Sequence, residues 1–275
     1  MVHGPQYTPP VYGKPMKTPV NRFKQAIRNK QVQYGLWVSM GSAYSTEICA
    51  GAGFDWLMLD CEHAPNDLQS ILMQLQITAA YPDTHPVVRV PVGHGHAGVT
   101  LIKQYMDAGA TTILVPMVDT AEQAQALVQA MRYPPQGIRG MGTARAARWG
   151  RYTNYTREAN EQVCLLVQAE TTTALENIDA IAAVDGVDGV FIGPADLSAS
   201  MGHVGQQAHP EVKAAIEEAF RRILKAGKAP GILTPDEELS RHYLSHGAVF
   251  SAVGTDSNLL ARHTSALCQR FKKPE

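Results

Sequence analysis

Residues 163–198 read VCLLVQAETTTALENIDAIAAVDGVDGVFIGPADLS and contain a complete strand–helix–strand unit. The apolar runs Val163–Ala169 and Gly189–Ile192 predict strands, and Thr173–Val184 between them has a helical pattern. Both strands are continuously apolar instead of alternating with polar residues. They are therefore expected to lie in a parallel sheet that is buried on both faces.

The same alternation continues along the chain from about Asn21. Strands are predicted at Tyr34–Met40, Trp56–Cys61, Pro86–Val90, Thr112–Val118, Val163–Ala169, Gly189–Ile192, Pro230–Leu233 and Val249–Val253. Helical patterns follow them at Ser45–Ala52, Leu68–Ala79, Val99–Ala108, Ala121–Met131, Thr173–Val184, Glu211–Ala226, Asp236–His246 and Leu259–Phe271. Eight such units over roughly 250 residues favour a closed (β/α)8 barrel of the α/β class (a TIM barrel) over an open doubly wound sheet.

The predicted domain organisation is simple. Residues 21–275 form a single barrel domain, and residues 1–20 form a Pro-rich N-terminal arm that is either disordered or laid on a partner subunit. One irregular stretch, Arg132–Arg151, interrupts the rhythm, and Tyr155–Gln162 after it predicts a short extra helix.

Composition excludes several classes of function. Lys and Arg number 24 against 25 for Asp and Glu, and no basic stripe is visible, so nucleic acid is not an expected partner. The longest apolar runs are too short to span a membrane, and the N-terminus lacks the pattern of a signal peptide. The four cysteines, Cys49, Cys61, Cys164 and Cys268, are scattered, which favours reduced thiols and a cytoplasmic location.

Polar residues at the predicted strand ends indicate where the chemistry lies. The active site of such a barrel lies at the carboxyl ends of its strands. Those ends carry Asp60-Cys61-Glu62-His63, Arg89, Gln168-Ala169-Glu170 and Gly193-Pro194-Ala195-Asp196.

Two carboxylates on adjacent strand ends, Glu170 and Asp196, predict a divalent metal site. Two protein oxygens, with the remaining positions left to water and substrate, are typical of Mg²⁺ or Mn²⁺. The alternative is that each carboxylate caps the helix that follows it. The metal is favoured because a histidine and an arginine are expected beside the pair.

His63 is the candidate acid–base residue, since imidazole titrates near neutral pH. Asp60 is placed to orient its ring, and the alternative is a loop histidine bonded to backbone. Arg89 lies inside an apolar strand and must face an anion there. It either stabilises a developing enolate or forms a structural salt bridge with Glu170 or Glu62.

Other motifs give weaker signals. The amides of the turn that begins at Gly193-Pro194-Ala195 would suit a substrate carboxylate. No lysine is expected inside the barrel at the catalytic end, so imine catalysis is disfavoured. His94-Gly95-His96 is interpreted as a glycine-rich loop in preference to a zinc site. The loop Gly137–Gly142 is not a dinucleotide motif, but Arg139, Arg145 or Arg148 are candidates to bind the distal end of an anionic substrate.

The motifs as a set resemble the HpcH/HpaI aldolase family over roughly Arg22–Phe271. The resemblance rests on AGAGFDW at 50–56 with DCEHAP at 60–65, on RYPPQGIRG at 132–140, and on GVDGVFIGPADLS at 186–198. The branch most similar is that of the 4-hydroxy-2-oxoheptanedioate aldolases, with sugar-acid aldolases nearby. The resemblance implies a class II aldolase that acts on pyruvate-type 2-oxo acids and an aldehyde.

The resemblance also implies roles. Glu170 and Asp196 match metal ligands for Mg²⁺, Mn²⁺ or Co²⁺. His63 matches the base, acting directly or through a bound water, and Arg89 matches the arginine that stabilises the enolate. Gln168 and Ala195 match substrate contacts. Asp107 matches an acid that raises the basicity of the histidine, so Asp60 and Asp107 both remain candidates for supporting His63. The resemblance further implies a hexamer with swapped C-terminal helices, so a homo-oligomer is expected.

Three rival functions remain. One is a 2-keto-3-deoxy sugar-acid aldolase of the same family, and another is a lyase for CoA esters related to citrate lyase. The last is a metabolite-binding barrel without activity. The full set of acid–base, metal and arginine residues argues against that third rival, because simple binding needs no base.

Overall fold

Eight parallel strands close into a barrel in the computed structural model, which describes residues 13–142 and 144–272. The strands are β1 (Gln33–Val38), β2 (Trp56–Asp60), β3 (His85–Arg89), β4 (Thr112–Val115), β5 (Cys164–Ala169), β6 (Val187–Ile192), β7 (Ala229–Leu233) and β8 (Phe250–Thr255). Each strand pairs with the next in chain order, and β8 pairs with β1. The predicted (β/α)8 barrel is confirmed.

Helices surround the barrel. They are α1 (Arg22–Arg28), α2 (Ala43–Ala50), α3 (Leu68–Thr78), α4 (Gly95–Asp107), α5 (Ala121–Met131), α6 (Tyr155–Gln162), α7 (Thr172–Glu176), α8 (Ile178–Ala183), α9 (Pro194–Ser200), α10 (Pro210–Lys225), α11 (Glu237–Ser245) and α12 (Asp256–Lys272). A short 3-10 turn covers Arg145–Gly150.

The structure differs from the sequence prediction at a few boundaries. β4 ends at Val115 instead of Val118, and Met117 beyond it adopts a left-handed backbone with φ of 55°. α4 begins at Gly95, with His94 as its N-cap, so the predicted His94-Gly95-His96 loop is largely the first turn of a helix. The predicted helix Thr173–Val184 is two short helices that meet at Asn177.

Helix α1, which the sequence analysis did not predict, closes the amino end of the barrel. Phe23 is buried and stacks on His85 at 5.4 Å between ring centroids. Its ring also lies 5.9 Å from those of Trp56 and Phe250, both of which point into the barrel. This aromatic layer fills the barrel interior at the amino ends of the strands. Any substrate site therefore has to lie at the carboxyl ends.

The segment between α5 and β5 lies at this same amino end, because α5 runs back from the carboxyl end of β4. Arg145 donates to the carbonyl oxygens of Ala108 (2.6 Å), which follows α4, and of Leu75 (3.3 Å), which lies in the last turn of α3. Arg139 is buried and pairs with Asp107 at 2.8 Å. The hypothesis that arginines of this segment bind the distal end of the substrate is therefore wrong within one chain.

The described part of the N-terminal arm lies on its own chain. Met16 N–H donates to the carbonyl of Arg151 at 2.7 Å, and Met16 forms a parallel bridge with Tyr152. From Gly13 onward the arm therefore contacts its own chain, while residues 1–12, which also belong to the predicted arm, lie outside the described residues. Each of the four cysteines is free, as predicted. None of the helices within the described residues has the length and apolar character needed to cross a membrane.

Candidate active site

The carboxyl ends of the strands bring the predicted polar residues together. In the β2–β3 pair Asp60 lies directly opposite Arg89. In the β5–β6 pair Ala169 lies opposite Ile192, so Glu170 and Gly193, the next residue on each strand, emerge side by side. The barrel thus converts four separate sequence motifs into one cluster.

Arg89 and Asp60 form a buried, bidentate ion pair. Arg89 Nε donates to Asp60 Oδ1 at 2.8 Å and Nη2 donates to Oδ2 at 2.7 Å. Trp37 Nε1 also donates to Oδ2 at 3.1 Å, and its ring lies 4.9 Å from the guanidinium carbon. Burial alone would raise the pKa of Asp60, but the hydrogen bonds and charge of Arg89 outweigh it and lower that pKa.

Glu62 is a second partner of the same guanidinium. Its Oε2 lies 2.7 Å from Arg89 Nη1, without the angles of a good hydrogen bond. Burial raises the pKa of Glu62, and Arg89 opposes that shift only in part. The sequence analysis named Glu62 as one possible salt-bridge partner of Arg89. Strand β2 ends at Asp60, and the turn after it places Glu62 beside Arg89.

His63 lies on the solvent side of this cluster, and its side chain is exposed. The carboxylate of Asp60 accepts from the backbone N–H of Glu62 at 2.9 Å and of His63 at 3.4 Å. Among the hydrogen bonds of the described residues, the ring of His63 has no bond to Asp60. The prediction that Asp60 orients the ring is therefore corrected: it holds the backbone of the turn that carries His63.

Asp107 lies at the opposite end of the barrel from His63. It is the last residue of α4, just before the amino end of β4, and its Oδ1 accepts from Arg139 Nη2 at 2.8 Å. Within one chain, Asp107 therefore does not support His63.

Glu170 is a buried carboxylate without a basic partner among the described residues. Its side chain accepts from the Met117 backbone N–H at 2.9 Å and from the Gln168 amide. Burial, together with the charges of Asp196 and Glu62, raises the pKa of Glu170 to about 7, although these two hydrogen bonds act to lower it. Met117 was not anticipated, since its role depends on the left-handed turn after β4.

Asp196 faces solvent in the first turn of α9. The alternative interpretation, in which both carboxylates are helix caps, is excluded by the caps themselves. Thr171 caps α7 through its own side chain, and Gly193 occupies the N-cap of α9 without a side-chain bond. Glu170 and Asp196 are therefore free of capping roles.

The surroundings of Glu170 fit a cation. Glu62, Glu170 and Asp196 repel one another enough to affect the pKa of Glu170, which a bound divalent ion would relieve. Gln168 Oε1 is buried without a hydrogen-bond partner among the described residues, and so is available to a ligand. A Cβ at Gly193 would lie 2.4 Å from Glu170 Oε2, so glycine is required for the close approach of the two strand ends.

Two lysines that contact residues at the strand ends, Lys24 and Lys228, lie away from this cluster. Lys24 is buried and donates to the carbonyl oxygens of Glu161 and Val163, while Lys228 donates to those of Val184 and Val187. All four acceptors lie at or before the amino ends of β5 and β6. The positions of both lysines agree with the prediction that imine catalysis is disfavoured.

Comparison with known proteins identifies this arrangement. The model of the HpcH/HpaI aldolase/citrate lyase family matches residues 33–263. The chain belongs to this family. The matched range includes all eight strands and every residue of the cluster.

Curated relatives align over nearly the whole chain. A 4-hydroxy-2-oxovalerate aldolase of Rhodococcus jostii is 60% identical over 256 residues, which cover 93% of this chain and 98% of the relative. A hydroxypyruvate/pyruvate aldolase of Deinococcus radiodurans is 60% identical over 254 residues, covering 92% and 90%. A 4-hydroxy-2-oxo-heptane-1,7-dioate aldolase of Klebsiella pneumoniae is 55% identical over 253 residues, covering 91% and 94%.

A solved structure agrees with the fold. The crystal structure of an HpcH/HpaI aldolase/citrate lyase family protein from Burkholderia cenocepacia superposes with a TM-score of 0.88 at 38% identity. The match covers 92% of this chain and all of that chain.

Proposed function

We propose that this protein is a metal-dependent class II aldolase that interconverts a 4-hydroxy-2-oxo acid with pyruvate and an aldehyde. The observation that carries the proposal is the pair of carboxylates Glu170 and Asp196, free of capping roles, beside Arg89 and His63 in a chain of this family. Metabolite binding alone would not need that set. The named activities of the relatives support the same class of reaction.

Glu170 and Asp196 would hold the divalent cation, with Mg²⁺, Mn²⁺ and Co²⁺ as the candidates. When bound, it would supply Lewis-acid stabilisation of the oxygens of the 2-oxo acid. Gln168 Oε1, Ala195 and the backbone amides of the Gly193-Pro194-Ala195-Asp196 turn would fix the orientation of the substrate carboxylate.

The proposed cleavage uses this chain's groups in a fixed order. His63 accepts the proton of the C4 hydroxyl, the C3–C4 bond breaks, and the aldehyde leaves. The electron pair of that bond forms the enolate of pyruvate, whose developing negative charge lies near the Arg89 guanidinium. C3 then gains a proton and His63 gives up the proton that it accepted, which yields pyruvate and restores the neutral histidine. Asp60 acts through Arg89 and through the backbone of the His63 turn.

A substrate panel tests this reaction. Purified protein with Mg²⁺ or Mn²⁺ is incubated with 4-hydroxy-2-oxovalerate, 4-hydroxy-2-oxoheptanedioate, a 2-keto-3-deoxy sugar acid and a CoA thioester, and pyruvate is assayed. Pyruvate release from the first two supports the proposal and ranks the aldehydes. Release confined to the sugar acid would favour the sugar-acid aldolase, and turnover of the CoA ester alone would overturn the proposal in favour of the lyase. Pyruvate binding without any turnover would favour a non-catalytic barrel.

We also propose that the chain acts as a homo-oligomer, a hexamer by the family resemblance. Asp256 is the buried residue of α12, whose apolar side chains Leu259, Leu260, Leu267 and Phe271 are exposed. Such an apolar helix face indicates an interface. Asp107 can support His63 only across a subunit boundary in such an assembly. Light scattering that gave the mass of a monomer at micromolar concentration would contradict this proposal.

A small metabolic enzyme of this kind is expected in the cytoplasm.

A further inference from the structure

A group of metal-ligating side chains lies outside the proposed active site, between helices α10 and α11. Its members are Glu217 on α10, with His242 on α11 and His246 at the end of α11. Both histidines are near the C-terminus of α11, which runs away from the catalytic end of the barrel. The two helices pack through Phe220 and Tyr243, whose ring centroids are 5.8 Å apart.

The three side chains converge on one point. His242 and His246 are four residues apart, so their rings share one helix face, and the ring centroids are 4.1 Å apart. His242 Nε2 lies 2.6 Å from Glu217 Oε1. One ligand atom from each residue lies within 4.8 Å of the other two, which small side-chain rotations can close around an ion.

A hydrogen bond determines which ring nitrogen of His246 is available to a metal. Its Nδ1 lies 2.8 Å from the backbone carbonyl of His242. Because a carbonyl oxygen can only accept, Nδ1 carries the proton and Nε2 keeps its lone pair. A histidine whose second nitrogen donates to a backbone carbonyl is typical of metal sites.

A second His–Glu group in the chain lacks these properties. His203 and His209 stack nearly parallel, with ring centroids 3.7 Å apart, so their ring planes lie side by side instead of converging. Glu211, their acidic partner, has 70% of its side chain exposed, whereas those of Glu217 and His242 are each 31% exposed. The glutamate of the group on α10 and α11 is therefore less exposed than Glu211, while His246, like Glu211, is exposed.

We propose that Glu217, His242 and His246 bind Zn²⁺ or a similar late first-row divalent metal such as Co²⁺ or Ni²⁺. Two imidazoles and one carboxylate form a three-ligand set that leaves a fourth position to water, and nitrogen ligands disfavour Mg²⁺. The cation would take the place of the proton between His242 Nε2 and Glu217, and the neutral imidazole ligand would carry its proton on Nδ1. The bound ion would join α10 to α11 and stabilise this side of the barrel. This site is independent of the proposed aldolase activity.

Zinc stoichiometry in the presence of excess Mg²⁺ tests the proposal. Isothermal titration calorimetry with ZnCl₂ compares the wild type with His246→Gln, His242→Gln and the control His263→Gln, an exposed histidine on α12. The wild type and the control are expected to bind one equivalent more zinc than either site variant. Zinc that binds at the catalytic end is present in all four proteins and cancels in the comparison.

Thermal unfolding gives a second readout on the same proteins. Zinc should raise the Tm of the wild type and of His263→Gln more than that of His246→Gln. Equal zinc stoichiometry in the wild type and both site variants would overturn the proposal. If a histidine variant failed to fold, Glu217→Gln, at a side chain that is partly exposed, would provide the same comparison.

Discussion

Asp60 has two structural roles in the candidate active site. The Asp60 carboxylate accepts two hydrogen bonds from Arg89 and two from backbone amides, so it holds the guanidinium and the turn that carries His63 at once. His63 itself is exposed and free to reach a substrate. Mutations can therefore distinguish His63, which transfers the proton, from Asp60, which positions the turn that carries His63.

Replacing His63 by Ala should lower kcat by about 10²–10⁴-fold, the usual contribution of a positioned acid or base. The metal site should be unaffected, because His63 is not one of the proposed ligands. The check is pyruvate release together with Mn²⁺ binding, with His263→Ala as the matched exposed control. Full activity in His63→Ala would rule out its proposed role.

Gly193→Ala tests the close approach of the two strand ends. The added methyl would lie 2.4 Å from Glu170 Oε2 and should displace that carboxylate. We expect weaker metal binding and at least a tenfold loss of activity, with little change in Tm. Gly142→Ala is the control, since a Cβ there meets nothing within 4 Å. Equal activity in the two variants would contradict the account.

Helices and strands were predictable to different degrees. The apolar runs located all eight strands, because strands buried on both faces are uniformly apolar. Helix α1 was missed, since seven residues with three buried ones give too little periodicity. The turn after β4 could not be predicted either, because the Met117 N–H in this left-handed turn donates to Glu170, which is far away in sequence.

Helix α1 should matter for stability more than its length suggests. Replacing Phe23 by Ala removes a ring that contacts His85, Trp56 and Phe250, and should reduce the free energy of unfolding by about 3–5 kcal/mol. Chemical denaturation measures this change. Tyr44→Ala, at a side chain 77% exposed, is the control and should change little. A loss below 1 kcal/mol for Phe23→Ala would show that α1 does not close the barrel in solution.

The two ends of the barrel have different roles. The amino end is closed by an aromatic layer and by the segment that follows α5, while the carboxyl end collects the carboxylates, His63 and Arg89. Sequence motifs located Arg89, Glu170 and Asp196 on strand ends and so predicted this cluster. They did not show that Asp107 and the loop arginines lie at the amino end of their own barrel, because a motif does not reveal at which end of the barrel its segment lies.

The buried amino end predicts a pH dependence of folding. Burial lowers the pKa of His85 to about 4, while an unfolded histidine titrates near 6.5. Above pH 6.5 the ring is neutral in both states. As pH falls from 6.5 to 4, only the unfolded state gains the proton, so stability decreases by up to about 3 kcal/mol. Denaturation at several pH values should show a smaller decrease in His85→Gln, and an identical decrease would contradict this assignment.

The most direct test of the central claim is pyruvate release from 4-hydroxy-2-oxovalerate by the wild type, Glu170→Gln and the exposed control Glu176→Gln, after EDTA treatment and after Mn²⁺ is restored. We predict that EDTA abolishes release by the wild type and the control, that Mn²⁺ restores both, and that Glu170→Gln stays inactive and binds no Mn²⁺. Release that survives complete metal removal, or a Glu170→Gln variant that keeps wild-type activity, would contradict the metal-dependent mechanism.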